Sequence, residues 1–264
     1  CFGNLNKLIK FGFHHLDILD WQELISVLID CVSVSISVNE KNLMKSFLRS
    51  GSIYTFSRIP TAFSEAKNCQ QSVKTVFHKI ICFFTTLVQN MKNIIFYLSD
   101  SQWSFVPNLG KAIRSIEITS ETVDLLINFT ICSDTLWIKE GVELLMIALE
   151  KSNVSKKILN FLIDSTKKSI ANRHQCFKAN AITSLLSFIV KNSNKSENLN
   201  EKMVDELNLL SLNLLKNICS SFFRVGELSL TVRLLSQTQT ELEILLLDSL
   251  LELCEQKQSQ QNED

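Results

Sequence analysis

The sequence predicts an all-α chain, and three observations carry that expectation. Apolar residues recur with the three- and four-residue spacing of a helix face, most regularly over residues 120–192. The joints between these segments are only a few residues long, which makes consecutive helices antiparallel neighbours. Six Gly and two Pro in 264 residues are too few for the tight turns of a sheet-rich fold. At this length a single closed core is near its limit, so the chain either divides into domains or grows as an open array of stacked helices.

Taken in order, residues 2–15 place Leu5, Leu8 and Ile9 on one face of a helix. Residues 20–38 are a stronger candidate, with Leu24, Val27, Leu28 and Cys31 as the stripe and Trp21 as an anchor. The second half of that segment, Val32 to Val38, alternates with period two and reads locally as a strand. No second strand of similar quality is present to pair with it, so a helix end is expected there. Residues 40–49 form a short helix that stops at Ser50-Gly51. Pro60 predicts a short helix or turn and then a loop over 52–62. A long helix follows over 65–89, with Val73, Val76, Phe77, Ile80, Ile81 and Phe84 as its buried side, and 91–98 continues it after a bend. Pro107 and Gly110 are the clearest punctuation and place a boundary near residue 110.

After a short amphipathic piece at 111–118, four periodic segments succeed one another: 120–131, 136–150, 154–171 and 175–191. Ser133-Asp134-Thr135 and Ser152-Asn153 offer side-chain oxygens to cap the second and third of them. Residues 192–200 are polar and read as a mobile loop. A long helix over 201–223 carries Leu207, Leu210, Leu214, Leu215 and Ile218, and 227–235 with 241–255 complete a last pair. The expected organisation is an irregular helical region at 1–110, a helical-repeat region at 111–255 with its loop near 192–200, and a disordered tail at 256–264.

Three helices share a loose signature: Leu126-Ile127-Asn128-Phe129, Ile158-Leu159-Asn160-Phe161 and Leu215-Lys216-Asn217-Ile218. Each sets an Asn beside the apolar stripe, with a small or polar cluster soon after it. The pattern resembles the inner helix of armadillo-type repeats, and helical hairpins about 40 residues apart also fit HEAT-type repeats. The resemblance implies an α-solenoid of antiparallel helical hairpins. It also implies that Asn128, Asn160 and Asn217 line a groove and hold the backbone of an extended peptide. The alternative for these three is an ordinary position on a helix surface.

Charge is balanced overall, with 27 basic and 27 acidic residues, so no global field draws the chain to nucleic acid or an anionic membrane. Locally it is not. Residues 151–178 hold Lys151, Lys156, Lys157, Lys167, Lys168, Arg173 and Lys178 against Asp164 alone, and residues 241–264 hold seven acidic residues against Lys257. The Lys156-Lys157 and Lys167-Lys168 pairs stand three helical turns apart and return to nearly the same face. These lysines, with Arg173, are the candidates for electrostatic contact with a partner; a solvated helix face is the alternative.

The eight cysteines are scattered singly with no CxxC, as free thiols used as small core residues would be, which suggests a reducing intracellular compartment, cytoplasmic or nuclear. No apolar run reaches the length of a membrane span. The chain begins at Cys1 rather than Met, and a piece of a longer protein is expected. His78 and Cys82 share a helix face but lack further ligands in sequence, and no Gly-rich phosphate loop or nucleophile motif occurs. No metal, cofactor or catalytic residue is expected. The expected function is a non-catalytic scaffold for protein partners, with nucleic acid or acidic lipid on the 151–178 basic stretch as the alternative.

Overall fold

The computed structural model describes residues 2–15, 17–38, 40–65, 70–90, 93–133, 136–151, 153–193, 201–222, 244, 247 and 248. Thirteen α-helices run through the described residues, which are all-α apart from two short strands. No described helix is long and apolar enough to cross a membrane. The chain divides into two compact units, Cys1–Ser133 and Asp134–Asp264. Residue 110, near which the sequence places a boundary, lies inside a helix, and Gly110 is buried.

The first unit contains α1 (Phe2–His15), α2 (Ile18–Val38), α3 (Glu40–Arg49), α4 (Ser52–Glu65), α5 (Gln70–Asn90), α6 (Ile94–Leu98), a 3₁₀ turn (Ser101–Trp103), α7 (Phe105–Ser115), α8 (Ser120–Thr130) and strand β1 (Ile131–Ser133). Helix α5 is its centre. Val73, Val76, Phe77, Ile80, Ile81 and Phe84 are buried as the spacing predicts, and α2, α4, α7 and α8 pack around them. Rings pass contact onward through the core, from Phe83 to Phe84 to Phe105 to Phe129. Trp21 of α2 stacks flat on Phe63 of α4, centroids 3.9 Å apart.

Three local expectations meet tertiary packing here, with different results. The alternating Val32–Val38 run is helical. Its serines turn back on the helix, Ser33 Oγ donating to Ile29 O and Ser35 Oγ to Cys31 O, both at 2.7 Å, which removes the competition they would otherwise offer the backbone. Helix α4 continues through Pro60 to Glu65, although the missing N–H leaves one helical hydrogen bond unmade. The reason is burial. Ile53, Phe56, Ile59, Pro60 and Phe63 all lie in the core, and Thr61 Oγ1 donates to Asn108 O at 2.7 Å while Asn108 Nδ2 donates to Ser57 Oγ at 3.1 Å, tying α4 to α7. Pro107 is the third residue of α7, where a helix has no use for the N–H, so it starts an element rather than separating two. Gly51 ends α3 as expected, with φ +71°.

The second unit contains strand β2 (Leu136–Trp137), α9 (Lys139–Ala148), α10 (Ser155–Lys168), α11 (Ile170–Lys178), α12 (Ala181–Ser193) and α13 (Glu201–Cys219). The segment expected as one helix over 136–150 starts at Lys139, capped by Ile138 without a side-chain bond. The segment expected over 154–171 breaks at Ser169, whose hydroxyl accepts from Asn172 N at 3.3 Å and caps α11. The next break falls at Asn180, in the left-handed region at φ +53°, a conformation Asn tolerates better than most residues. Of the loop expected over 192–200, Asn192 and Ser193 instead belong to α12, and residues 194–200 lie outside the described residues, as do the tail over 256–264 and the last helix pair except for Ile244, Leu247 and Asp248, which are helical.

Both units share a packing rule. Beyond chain neighbours, helices three apart in order pack together (α1 with α4, α2 with α5, α4 with α7 and α5 with α8 in the first unit, α9 with α12 and α10 with α13 in the second), and some helices two apart do so as well: α5 with α7, α9 with α11 and α11 with α13.

Candidate functional site

Helix α10 turns two different faces outward and inward. Ile158, Leu159, Leu162, Ile163 and Thr166 are buried, and α11 and α13 cover them. Around the other side, Lys156, Asn160, Asp164, Lys167 and Lys168 are exposed and Lys157 is half-buried. The eleven-residue step from Lys156 to Lys167 amounts to about 16 Å along the axis and returns within about 20° of the same direction. The structure therefore brings five of the sequence candidates (Lys156, Lys157, Asn160, Lys167 and Lys168) onto one side of one helix.

The charges on this face are not equivalent. Lys156 is ion-paired with Glu206 of α13, with both side chains largely in solvent. Lys167 and Lys168 occupy the last turn of α10, where positive charge opposes the helix dipole. Neither has an ion pair among the described residues. Nor are their ammonium groups needed to cap the helix, because Arg173 does that. Its Nε donates to Thr166 O at 2.7 Å and its Nη2 to Lys167 O at 3.3 Å. Its Nη1 reaches the end of α13, at 2.9 Å from Ser221 Oγ and 3.3 Å from Ser220 Oγ. Arg173 thus joins the C-terminal ends of two helices.

The remaining candidates lie elsewhere. Asn217 is half-buried where α13 meets α10, its Nδ2 at 3.3 Å from Thr166 Oγ1 and 3.5 Å from Ile163 O. Asn128 is exposed on α8, in the first unit. Sequence reasoning missed Glu206, Ser220 and Ser221, which stand about 50 residues from their partners and carry no local signal. It also missed the stacking of His174 on Phe222, centroids 4.9 Å apart, beside Phe177.

The first unit has a cleft of about 320 Å³ between α2, α5 and α8, lined by Asp30, His78, Lys79, Cys82, Phe83 and Glu121 among others. Lys79 and Asp30 pair across it at 3.3 Å. His78 Nε2 lies 2.8 Å from Thr122 Oγ1. Burial lowers the His78 pKa, the Glu121 carboxylate raises it in part and Lys74 lowers it. Cys82 is exposed as a residue, but partial desolvation of its thiol in the cleft pushes its pKa up and Glu121 adds to that, which makes it a poor nucleophile. Among the described residues no three His, Cys, Asp or Glu side chains are grouped to hold a metal ion.

No protein-family model, curated protein or solved structure matches this chain.

Proposed function

We propose that this chain is a non-catalytic protein–protein interaction scaffold, an ARM/HEAT-like α-solenoid that binds partners along its helix surfaces. The observation that carries the reading is the exposed lysine face of α10, whose last-turn ammonium groups are engaged by no described acid while Arg173 meets the capping need of the helix. The three-apart packing order within each unit supports the repeat architecture, since armadillo-type arrays stack units of two or three helices on their neighbours. Each unit of such an array buries its helices against adjacent ones and leaves a long lateral surface for recognition. On this reading Lys156, Lys157, Lys167 and Lys168 supply electrostatic contact and Asn160 supplies amide contact between them, while Asn128 is a separate candidate on α8 of the first unit.

The test is capture from cell lysate on the immobilised 264-residue chain, with and without nuclease. Saturable, specific capture of a protein that survives nuclease is expected. Capture that disappears with nuclease, or no specific protein at all, overturns the scaffold reading, the first in favour of nucleic acid.

A further inference from the structure

From the α10 face we infer the chemistry of the partner: an acidic peptide segment, with carboxylates about 16 Å apart, lying along α10 and anchored on Lys167 and Lys168. The inference rests on the scaffold reading and narrows it.

Four observations point to carboxylates rather than to another anion. The fold already seats one carboxylate here, Glu206 on Lys156. An ammonium has three donors and can hold a second acceptor, so Lys156 offers a further anchor without losing Glu206. The spacing between the two anchors corresponds to about five residues of extended chain, with exposed Asn160 between them to meet the peptide backbone. Asp164 is also exposed within the stripe. It stands one helical turn before Lys167 and Lys168 and repels negative charge beside that anchor, which suits a sequence of spaced acids and opposes a continuous polyanion.

Nucleic acid is disfavoured by the same inventory. Phe161 of the same helix is stacked on Trp137 with centroids 5.0 Å apart, and the guanidinium of Arg173 is engaged with Thr166, Lys167, Ser220 and Ser221. Neither of these two groups is open to base stacking or bidentate phosphate recognition.

The experiment is fluorescence anisotropy on the full chain with a labelled peptide of about ten residues carrying glutamates about five positions apart. Its glutamine counterpart, a single-stranded oligonucleotide and phosphoinositide-containing vesicles serve as rival probes. The glutamate peptide should bind and the glutamine peptide should not. Lys167→Glu/Lys168→Glu should weaken binding roughly tenfold or more, and Lys167→Gln/Lys168→Gln less, each with unchanged circular dichroism. Asp164→Asn should strengthen binding about two- to threefold, a gain that damage to the fold would not produce. Glutamate-peptide binding indifferent to all three variants overturns the inference. So does binding of the oligonucleotide or vesicles in preference to the peptide. A lysate partner retained by the charge-reversed chain keeps the scaffold reading while overturning this one, so the two failures are distinguishable.

Discussion

Replacing Arg173 tests whether its guanidinium is built into the fold's own framework. In Arg173→Ala the carbonyls of Thr166 and Lys167 lose their donor, and the hydroxyls of Ser220 and Ser221 lose theirs. A hydrogen bond is worth about 0.5–1.5 kcal/mol net, and more when one partner is charged. A cation at a helix C-terminus adds about 0.3–1 kcal/mol. Two of the four contacts are short, at 2.7 and 2.9 Å, and two are long, at 3.3 Å. With the long pair counted lightly and the side chain half-buried, the expected loss is about 2–3 kcal/mol. Urea unfolding followed by circular dichroism measures it, and amide exchange should rise first at the end of α10. Arg173→Lys keeps the charge but not the planar fork and should recover about half. If the alanine variant unfolds within about 0.5 kcal/mol of wild type, the two-helix clamp is refuted, and the Arg173 guanidinium becomes available to a partner.

Three further outcomes follow from other sites. Gly51→Ala places a Cβ at φ +71°, 3.2 Å from the Trp103 ring, and should lower stability by about 1–2 kcal/mol, visible as a lower urea midpoint. The Cys176 thiol is fully buried, with its pKa pushed up to about 12 by that burial, while Cys31 is exposed. Alkylation at pH 8 read by peptide mass spectrometry should therefore label Cys31 in the native chain and Cys176 only after denaturation. Because burial lowers the folded pKa of His78 below its ordinary value of 6.5, the unfolded chain binds the extra proton more readily. The His78 contribution is intact above that value and is lost as pH falls through the lower folded pKa. Urea unfolding at stepped pH should show this loss in wild type and a shallower one in His78→Gln.

Helix existence was legible wherever the apolar stripe was long. The buried side of α5 matches its spacing residue by residue, and Gly51 stops α3 where a left-handed residue was expected. Boundaries were less legible, because local signals yield to packing. Pro60 did not end α4, since the helix carries much of the core between α5 and α7. Gly110 did not end an element, since a residue without a side chain also serves inside a buried helix such as α7. The lysine face of α10 could be read from an eleven-residue repeat, a property of one helix. Its internal pairing could not. Glu206, Ser220, Ser221 and Asn217 come from a helix about 50 residues away, and which lysine they neutralise or which carbonyl they leave to Arg173 is a tertiary fact. The cysteines divide similarly: Cys176 and Cys219 are core residues as expected, whereas Cys31 and Cys82 are exposed.

The three-apart packing order also bears on how the chain acquires its structure. Within each unit, recurrent partners lie within a few helices in sequence, so each contact closes a short loop and the entropy lost in closing it is small. Chains of low contact order fold fast. During synthesis α5 can bury its ring-bearing face against α2 and α4 before α7 has left the ribosome, and α10 waits only for α13. Contacts of this kind favour assembly by successive local docking events over a late collapse of distant segments.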